Sequence, residues 1–266
     1  MKKSNYFLMF ILLLGMQHYS YAANYQFYFL GNTENSAWKG VQQGLSEANL
    51  IGRFTQQTFT IKSINVATAA QYKQANVVFL ADLPAATLKQ LITELPQAMI
   101  FNLSVEDTAL RQQCHHTLFH TIPSQAMRDD ALKQWQIKHK AKPEGVEAKT
   151  WHGSFRKYAA SDLNKRFKKN QGMVMDDQAW AGWAAVKLLA DTIAQLKQLE
   201  VPQLTQYLRH NIAFDGQKGQ ALTFRPTGQL RQPLLLIKDN KISAEAPIRG
   251  VEKMTQLDSL GLQRCH

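Results

Sequence analysis

The sequence predicts a Rossmann-like α/β fold, a parallel sheet flanked by helices, with a mainly helical second part and late β-strands. Three observations predict it. From Tyr25 onward, short apolar runs alternate with longer amphipathic stretches, which is the pattern of βαβ units. The run Asn76-Val-Val-Phe-Leu80 is uninterrupted, as a strand buried on both faces requires. A composition that is 45% hydrophobic over 266 residues is ample for a buried core.

The chain opens with Met1-Lys2-Lys3, an apolar run from Tyr6 to Met16, and Ser20-Tyr21-Ala22-Ala23. This is the three-part layout of a secretory signal peptide over residues 1–22, with cleavage expected after Ala22. The run is shorter than the roughly 20 apolar residues a membrane span needs, and no cysteine follows it to carry a lipid. The expected product is a soluble periplasmic protein without stable membrane insertion.

An α/β lobe is expected over residues 23–137. Tyr25 to Leu30 reads as its first strand and Gly31-Asn32-Thr33 as the turn. A helix from Ser36 to Asn49 follows, with Trp38, Val41, Leu45 and Ala48 on one face. Phe59 to Ile64 is the second strand, Ala67 to Gln74 a helix, and 76–80 the third strand. Pro84 opens the next helix. Ala98 to Phe101 is the fourth strand, Val105 to Gln112 a short helix, and Thr117 to Thr121 the fifth strand. A helix runs from Pro123-Ser124 to Ile137. The polar, lysine-rich stretch from Lys138 to Lys149, with Pro143 and Gly145, is expected to be a linker between lobes.

Beyond it the alternation stops. Trp151 to Lys169, Asp176 to Leu196 and Val201 to Arg209 read as helices over residues 150–210, with Asp176-Asp177 placed to cap the second. Residues 211–266 carry the late strands Ala221 to Phe224, Pro233 to Ile237 and Lys241 to Ala244. Asp239-Asn240 is a hairpin turn, and the tail returns to the first lobe.

The formal net charge is +11. Export removes nucleic acid from the partner classes, so the basic surface is either a solvated face or a dock for an acidic partner or lipid headgroups. Cys114 and Cys265 stand alone in the sequence, and an exported chain invites a disulfide between them. Closing so long a loop stabilises by about 4–5 kcal/mol in the entropic account. Two free thiols are the alternative.

The sequence contains no nucleophile elbow, phosphate-binding glycine loop, zinc spacing or paired-carboxylate site, so no catalytic residue and no cofactor is expected. In open α/β sheets, ligands bind beyond the carboxyl ends of the strands. That rule selects Asn32 and Thr33, Asp82, Asn102 and Ser104, and Ser124, each of which also reads as a helix cap or turn residue. His115, His116 and His120 flank Cys114, yet strand geometry turns His115 away from the other two and nothing completes a tetrahedral metal set. Trp180 and Trp183 share a helix face, as core residues or as a stacking platform. Trp151, His152 and Arg156 set a cation beside an aromatic, a pairing that suits an anionic ligand.

Three longer stretches carry a resemblance. The first is Phe101-Asn-Leu-Ser-Val-Glu-Asp-Thr-Ala-Leu-Arg111, then Cys114, then Leu118-Phe-His-Thr-Ile-Pro-Ser-Gln-Ala-Met127 and Asp130-Ala-Leu132. The second is Leu163-Asn-Lys-Arg-Phe167 with Trp180-Ala-Gly-Trp-Ala-Ala-Val-Lys187. The third is Phe214-Asp-Gly-Gln-Lys-Gly219, Leu222-Thr-Phe-Arg-Pro226, Gly228-Gln-Leu-Arg-Gln-Pro233 and Leu257-Asp-Ser-Leu-Gly261. Together they resemble the substrate-binding proteins of ABC transporters associated with pyrroloquinoline-quinone-dependent alcohol oxidation. Those belong to the type I periplasmic binding proteins, which include branched-chain amino-acid binders. The resemblance implies a solute-binding protein, not an enzyme, that takes a small-molecule ligand and works with an ABC permease or a periplasmic quinoprotein dehydrogenase. It also implies a shortened chain, because members of that family carry a whole α/β second lobe between the first and second stretches. Residues 150–210 are then a helical remnant of lobe two. The alternative is an accessory protein derived from a truncated binder, one that contacts a partner and transports nothing.

Overall fold

The computed structural model describes residues 23–73 and 76–265. The expected leader over residues 1–22, Gln74 at the end of an expected helix, and His266 lie outside the described residues.

A five-stranded sheet is built from β1 (Ala23–Leu30), β2 (Gln57–Ile64), β3 (Val78–Ala81), β4 (Met99–Asn102) and β5 (Leu118–His120). Its order is β2-β1-β3-β4-β5 and every pairing is parallel. This is the doubly wound arrangement expected from the alternation, with the order reversing between β1 and β3. Successive strand residues point to opposite faces, so Phe27, Phe29, Leu80, Phe101 and Phe119 feed one core while Leu30, Phe79, Ala81, Ile100 and Leu118 feed the other. The second core is closed by α2 (Val66–Ala69), α3 (Ala85–Glu94) and α4 (Ala109–Gln112). The first is closed by α1 (Ser36–Thr55) together with two helices from late in the chain, α7 (Asp177–Leu196) and α8 (Val201–His210).

A second, antiparallel sheet has the order β6-β7-β8, from β6 (Val146–Lys149), β7 (Leu234–Lys238) and β8 (Lys241–Ala246). Helix α5 (Gln125–His139) covers it through Met127, Ala131 and Trp135, which pack on Val146, Ala148, Leu234 and Leu236. Asp239 and Asn240, both left-handed at φ 50° and 57°, turn the β7–β8 hairpin as the sequence predicts.

Several expectations are corrected. The stretch 138–149 is not all linker, because β6 occupies its last residues and supplies an edge of the second sheet. Helix α5 leaves the first lobe and packs on the second sheet, so the chain crosses between units near Thr121 to Ser124 and not at 137. Helices α7 and α8 complete the first lobe and are not a remnant of the second. The helix expected from Trp151 begins only at Ala160, as α6 (Ala160–Gln171), because Trp151 to Ala159 runs as loop, with Tyr158 and Ala159 left-handed. Ala221 to Phe224 makes isolated bridges, Phe214 to Leu222 and Phe224 to Leu230, in place of a strand. The expected 67–74 helix is a single turn of α-helix followed by a 3₁₀ turn, Ala70–Tyr72.

The return of α7 against α1 depends on small residues. A Cβ on Gly40 would lie 1.8 Å from the Ala179 carbonyl oxygen, and one on Gly182 would lie 2.4 Å from that of Ala37. The two backbones therefore touch, which brings Trp180 and Trp183 fully into the core and settles the pair as packing residues. Trp180 donates its indole N–H to the Gly216 carbonyl at 3.2 Å and Trp183 donates to Glu47 at 2.9 Å, which satisfies both buried donors.

The tail closes back on both units. Cys114 and Cys265 are joined, with Cα atoms 5.6 Å apart, within the range a disulfide spans. Asp258 accepts from Arg225 at 2.9 Å and from Arg231 at 2.8 Å, and Arg225 is itself almost fully buried. Burial pushes the Asp258 carboxyl up, but the hydrogen bonds from Arg231 and Arg225 outweigh it and hold the group below the usual carboxylate value.

Two outcomes are expected. Gly40→Ala gains about 1 kcal/mol of helix propensity but forces the helices apart at a cost of about 1–3 kcal/mol. The net change is a lower Tm, read by calorimetry. Because the folded Asp258 pKa lies below its unfolded value near 3.9, its stabilising contribution is full above that pH and fades as pH falls below it. Urea denaturation should show the advantage of the native chain over Asp258→Asn shrinking as the pH falls below about 4.

Candidate functional site

Besides the tail, three passages of chain join the units: Thr121 after β5, Thr150 after β6, and Gln232-Pro233 before β7. Lys218 binds two of them and reaches the third indirectly. Its ammonium donates to the Thr150 carbonyl at 2.8 Å, the Gln232 side-chain oxygen at 2.9 Å and the Pro233 carbonyl at 3.0 Å, while Gln232 Nε2 donates to the Thr121 carbonyl at 2.8 Å. The Trp180 ring lies 4.3 Å from Nζ. Burial pulls the Lys218 pKa down to about 7, with Asp177 and Glu245 opposing and Arg128 adding to the fall.

Arg128, on α5, makes a second bridge. It reaches Glu106 at 2.6 and 2.9 Å and Asp177, at the start of α7, at 2.8 Å, and also donates to the Ala148 carbonyl of β6. Asp177 accepts the Trp151 backbone N–H at 2.8 Å with its other oxygen. Two carboxylates of the first unit thus hold one guanidinium of the second.

Above this bridge lies a cavity of about 1090 Å³ between the units. Glu106, Asp176, Asp177 and Gln178 form its wall on the first unit, and Lys149 and Asn240 belong to the second sheet. The loop from Trp151 to Arg156 and one face of α6, Ser161, Asn164, Lys165 and Lys168, close the remaining side at helical spacing. Trp151 is fixed from within: its indole donates to Asn164 at 2.8 Å and its ring stacks on Trp180 with centroids 6.2 Å apart. His152 bridges Ser154 at 2.7 Å and Asn240 at 3.0 Å, tying the loop to the hairpin.

The expected ligand positions fall at the same end of the parallel sheet but do not line this cavity. Asn102 is fully buried; its oxygen accepts from Ser104 and Val105 and its nitrogen meets the Val105 carbonyl and His120. Ser124 is buried and caps α5 by accepting from Met127 at 3.2 Å. Asn32 accepts from the Glu34 N–H at 2.9 Å, and Asp82 accepts from Asn35 at 2.8 Å. The hydroxyls of Thr33 and Ser104 make no hydrogen bond among the described residues. Arg111 explains the rigidity there. Buried at 1% exposure, it donates to the carbonyls of Val105, Asp107 and Ile122 and to Gln229, bracing the loops after β4 and β5 from inside.

His120 is buried against Asn102, and burial drives its pKa well down. Among the described residues, no three His, Cys, Asp or Glu side chains converge as a metal site would need. Trp151, His152 and Arg156, which the sequence marked for their cation–aromatic pairing, do meet at the cavity, although from a loop and not from the helix expected for them.

No protein-family model matches the chain, and no curated protein matches it by sequence. Solved structures do. A branched chain amino acid ABC transporter periplasmic ligand-binding protein from Burkholderia xenovorans superposes with a TM-score of 0.69 at 11% identity, covering 84% of this chain and 95% of that one. An ABC transporter substrate-binding protein from Desulfitobacterium hafniense gives 0.68 at 12% identity, covering 83% of this chain and 99% of that one. A branched-chain amino acid transporter substrate binding protein from Streptococcus pneumoniae, in complex with isoleucine, gives 0.63 at 11% identity over 84% of this chain and 98% of that one. The fold is that of the type I periplasmic binding proteins.

Removing the Arg128 bridge has a defined cost. Arg128→Met leaves Glu106 and Asp177 without their cation, and a charged hydrogen-bonded group of this kind contributes about 2 kcal/mol. Urea denaturation should show that loss, and Glu106→Gln added to it should cost less than it does alone.

Proposed function

We propose that this protein is a non-catalytic periplasmic solute-binding component of an ABC transporter system, and that its ligand occupies the cavity between the two units. The observation that carries the reading is the cavity itself, walled by both units and by α6, in a fold shared with transporter ligand-binding proteins. Clefts of this kind, largely preformed and lined by mixed apolar and polar groups, are the usual small-molecule sites. Thr33 and Ser104, with free hydroxyls at the same end of the sheet, and Asn32 and Asp82 beside them are candidates for the first-unit rim.

The finer parts of the reading draw on the sequence. The leader-like residues 1–22 support periplasmic localisation. The three resembling stretches support a link to quinoprotein alcohol oxidation and an ABC permease as partner. The small size of the second sheet supports a shortened second lobe. A second reading, an accessory protein that contacts a periplasmic quinoprotein dehydrogenase and transports nothing, draws on Leu50, Ile51 and Phe54. Phe54 is 90% exposed near the end of α1, where a large apolar side chain gains nothing from water.

A thermal-shift screen of short alcohols, aldehydes, carboxylates, amino acids and quinone cofactors separates the two. At 100 times its Kd, a ligand of the native state stabilises by about 2.7 kcal/mol, or roughly 5–10 °C in a chain of this size. The hit should disappear in Ser154→Trp, which places a bulky ring at an exposed lining position of the cavity. A flat response across the set defeats the solute-binding reading.

A further inference from the structure

We infer that the ligand of this cavity is a small organic dianion carrying carboxylates, held by Arg156 and Lys168 with Lys165 and His152 beside them, an inference that rests on the cavity being the binding site. Three of the lining side chains are acidic and four are fully cationic, so the formal count alone decides little. Their commitments decide more. Both Glu106 oxygens are engaged by Arg128. Asp177 is divided between Arg128 and the Trp151 N–H. Asp176 caps α7 with one oxygen, accepting from Ala179 at 2.8 Å, and its other oxygen makes no hydrogen bond among the described residues. Of the three, only Asp176 has no cation paired with it.

The cations are committed differently. Lys149 pairs with Glu147 at 2.7 Å, outside the lining. Lys165 has only a 3.7 Å approach to Asp162, with both side chains mostly in water, a contact that screening makes weak. Arg156 and Lys168 make no hydrogen bond or ion pair among the described residues, and they enter the cavity from different elements, the loop and α6. Two unpaired cations on separate elements, with the weakly paired Lys165 beside them, outnumber the one unpaired carboxylate and match two negative charges on one molecule, and an arginine fork suits a carboxylate. Val174 presents an exposed apolar side chain to the same cavity, with Trp151, Phe155 and Met175 nearly buried behind the polar groups, which favours a carbon skeleton over an inorganic ion.

The test is isothermal titration and thermal shift on the full exported chain. The probes are succinate, acetate, 1,4-butanediol, isoleucine and sulfate at matched ionic strength. Succinate should bind, acetate and sulfate at least tenfold more weakly, and the diol and isoleucine not measurably. Arg156→Gln or Lys168→Gln should each weaken succinate roughly tenfold, whereas Lys140→Gln and Lys142→Gln, on an exposed loop away from the cavity, should leave it unchanged. If isoleucine or the diol binds in a way that Ser154→Trp abolishes while succinate does not bind, the dianion falls and the cavity stands. Equal response to sulfate and succinate, or equal loss in the loop variants, also overturns it. If no probe binds and the wider screen is flat, both inferences fall together.

Discussion

A single buried ammonium group holds together three of the passages of chain that join the two units. Lys218 has three donors and uses all of them on acceptors from two passages, one of which, Gln232, fastens the third. No carboxylate among the described residues touches it, so the stabilisation comes from carbonyl dipoles and the Trp180 face, and burial still pulls its pKa to about 7. Such an arrangement is costly to assemble, because a charge must leave water. It is also costly to dismantle: replacing Lys218 with an apolar residue strands three buried acceptors at once. The node lies where the second sheet joins the first unit, beside the apolar cluster that takes Leu235 and Ile237 of β7 into the first core.

The parallel sheet was legible because its physics is local. Alternating apolar runs and amphipathic stretches announce βαβ units, and β1 to β5 appear within a few residues of where the pattern put them. What periodicity could not supply was the partner of each helix. Helix α5 reads like the helices before it, yet its apolar residues Met127, Ala131 and Trp135 serve the second sheet. Helix α7 reads as part of a separate helical segment, yet Gly40, Gly44 and Gly182 let it press against α1 and finish the first core. The signal was present in those glycines. A small-residue stripe becomes informative only when its counterpart is known, and the two stripes lie far apart in sequence. Strand β6 was hidden for a related reason: Val146-Glu-Ala-Lys149 is too short and polar to read as a strand without β7 beside it.

The site divides along the same line. The rule that ligands gather at the carboxyl ends of strands found the correct end of the sheet, because it depends on topology alone. It could not tell free polar groups from spent ones. Asn102 and Ser124 have the right chemistry and position, but burial leaves their hydrogen-bonding capacity no outlet except the fold itself. Trp151, His152 and Arg156 were visible as a cation–aromatic pairing, and a loop in place of the expected helix is what turns them toward a common space.

The units are joined by apolar and polar contacts together. The parallel sheet has an apolar cluster on each face, and one of these also takes in Leu235, Ile237 and Ile242 of the second sheet, whose other face has a cluster of its own under α5. Polar bridges add to the shared cluster, from Arg128 to two carboxylates and from Lys218 to three acceptors. The shared apolar contact resists opening in proportion to the area exposed. Each hydrogen bond of the bridges adds only about 1 kcal/mol net. The two bridges also differ from each other. Arg128 lies at the floor of the cavity with its partners partly in water, whereas Lys218 lies in the dry crossing itself.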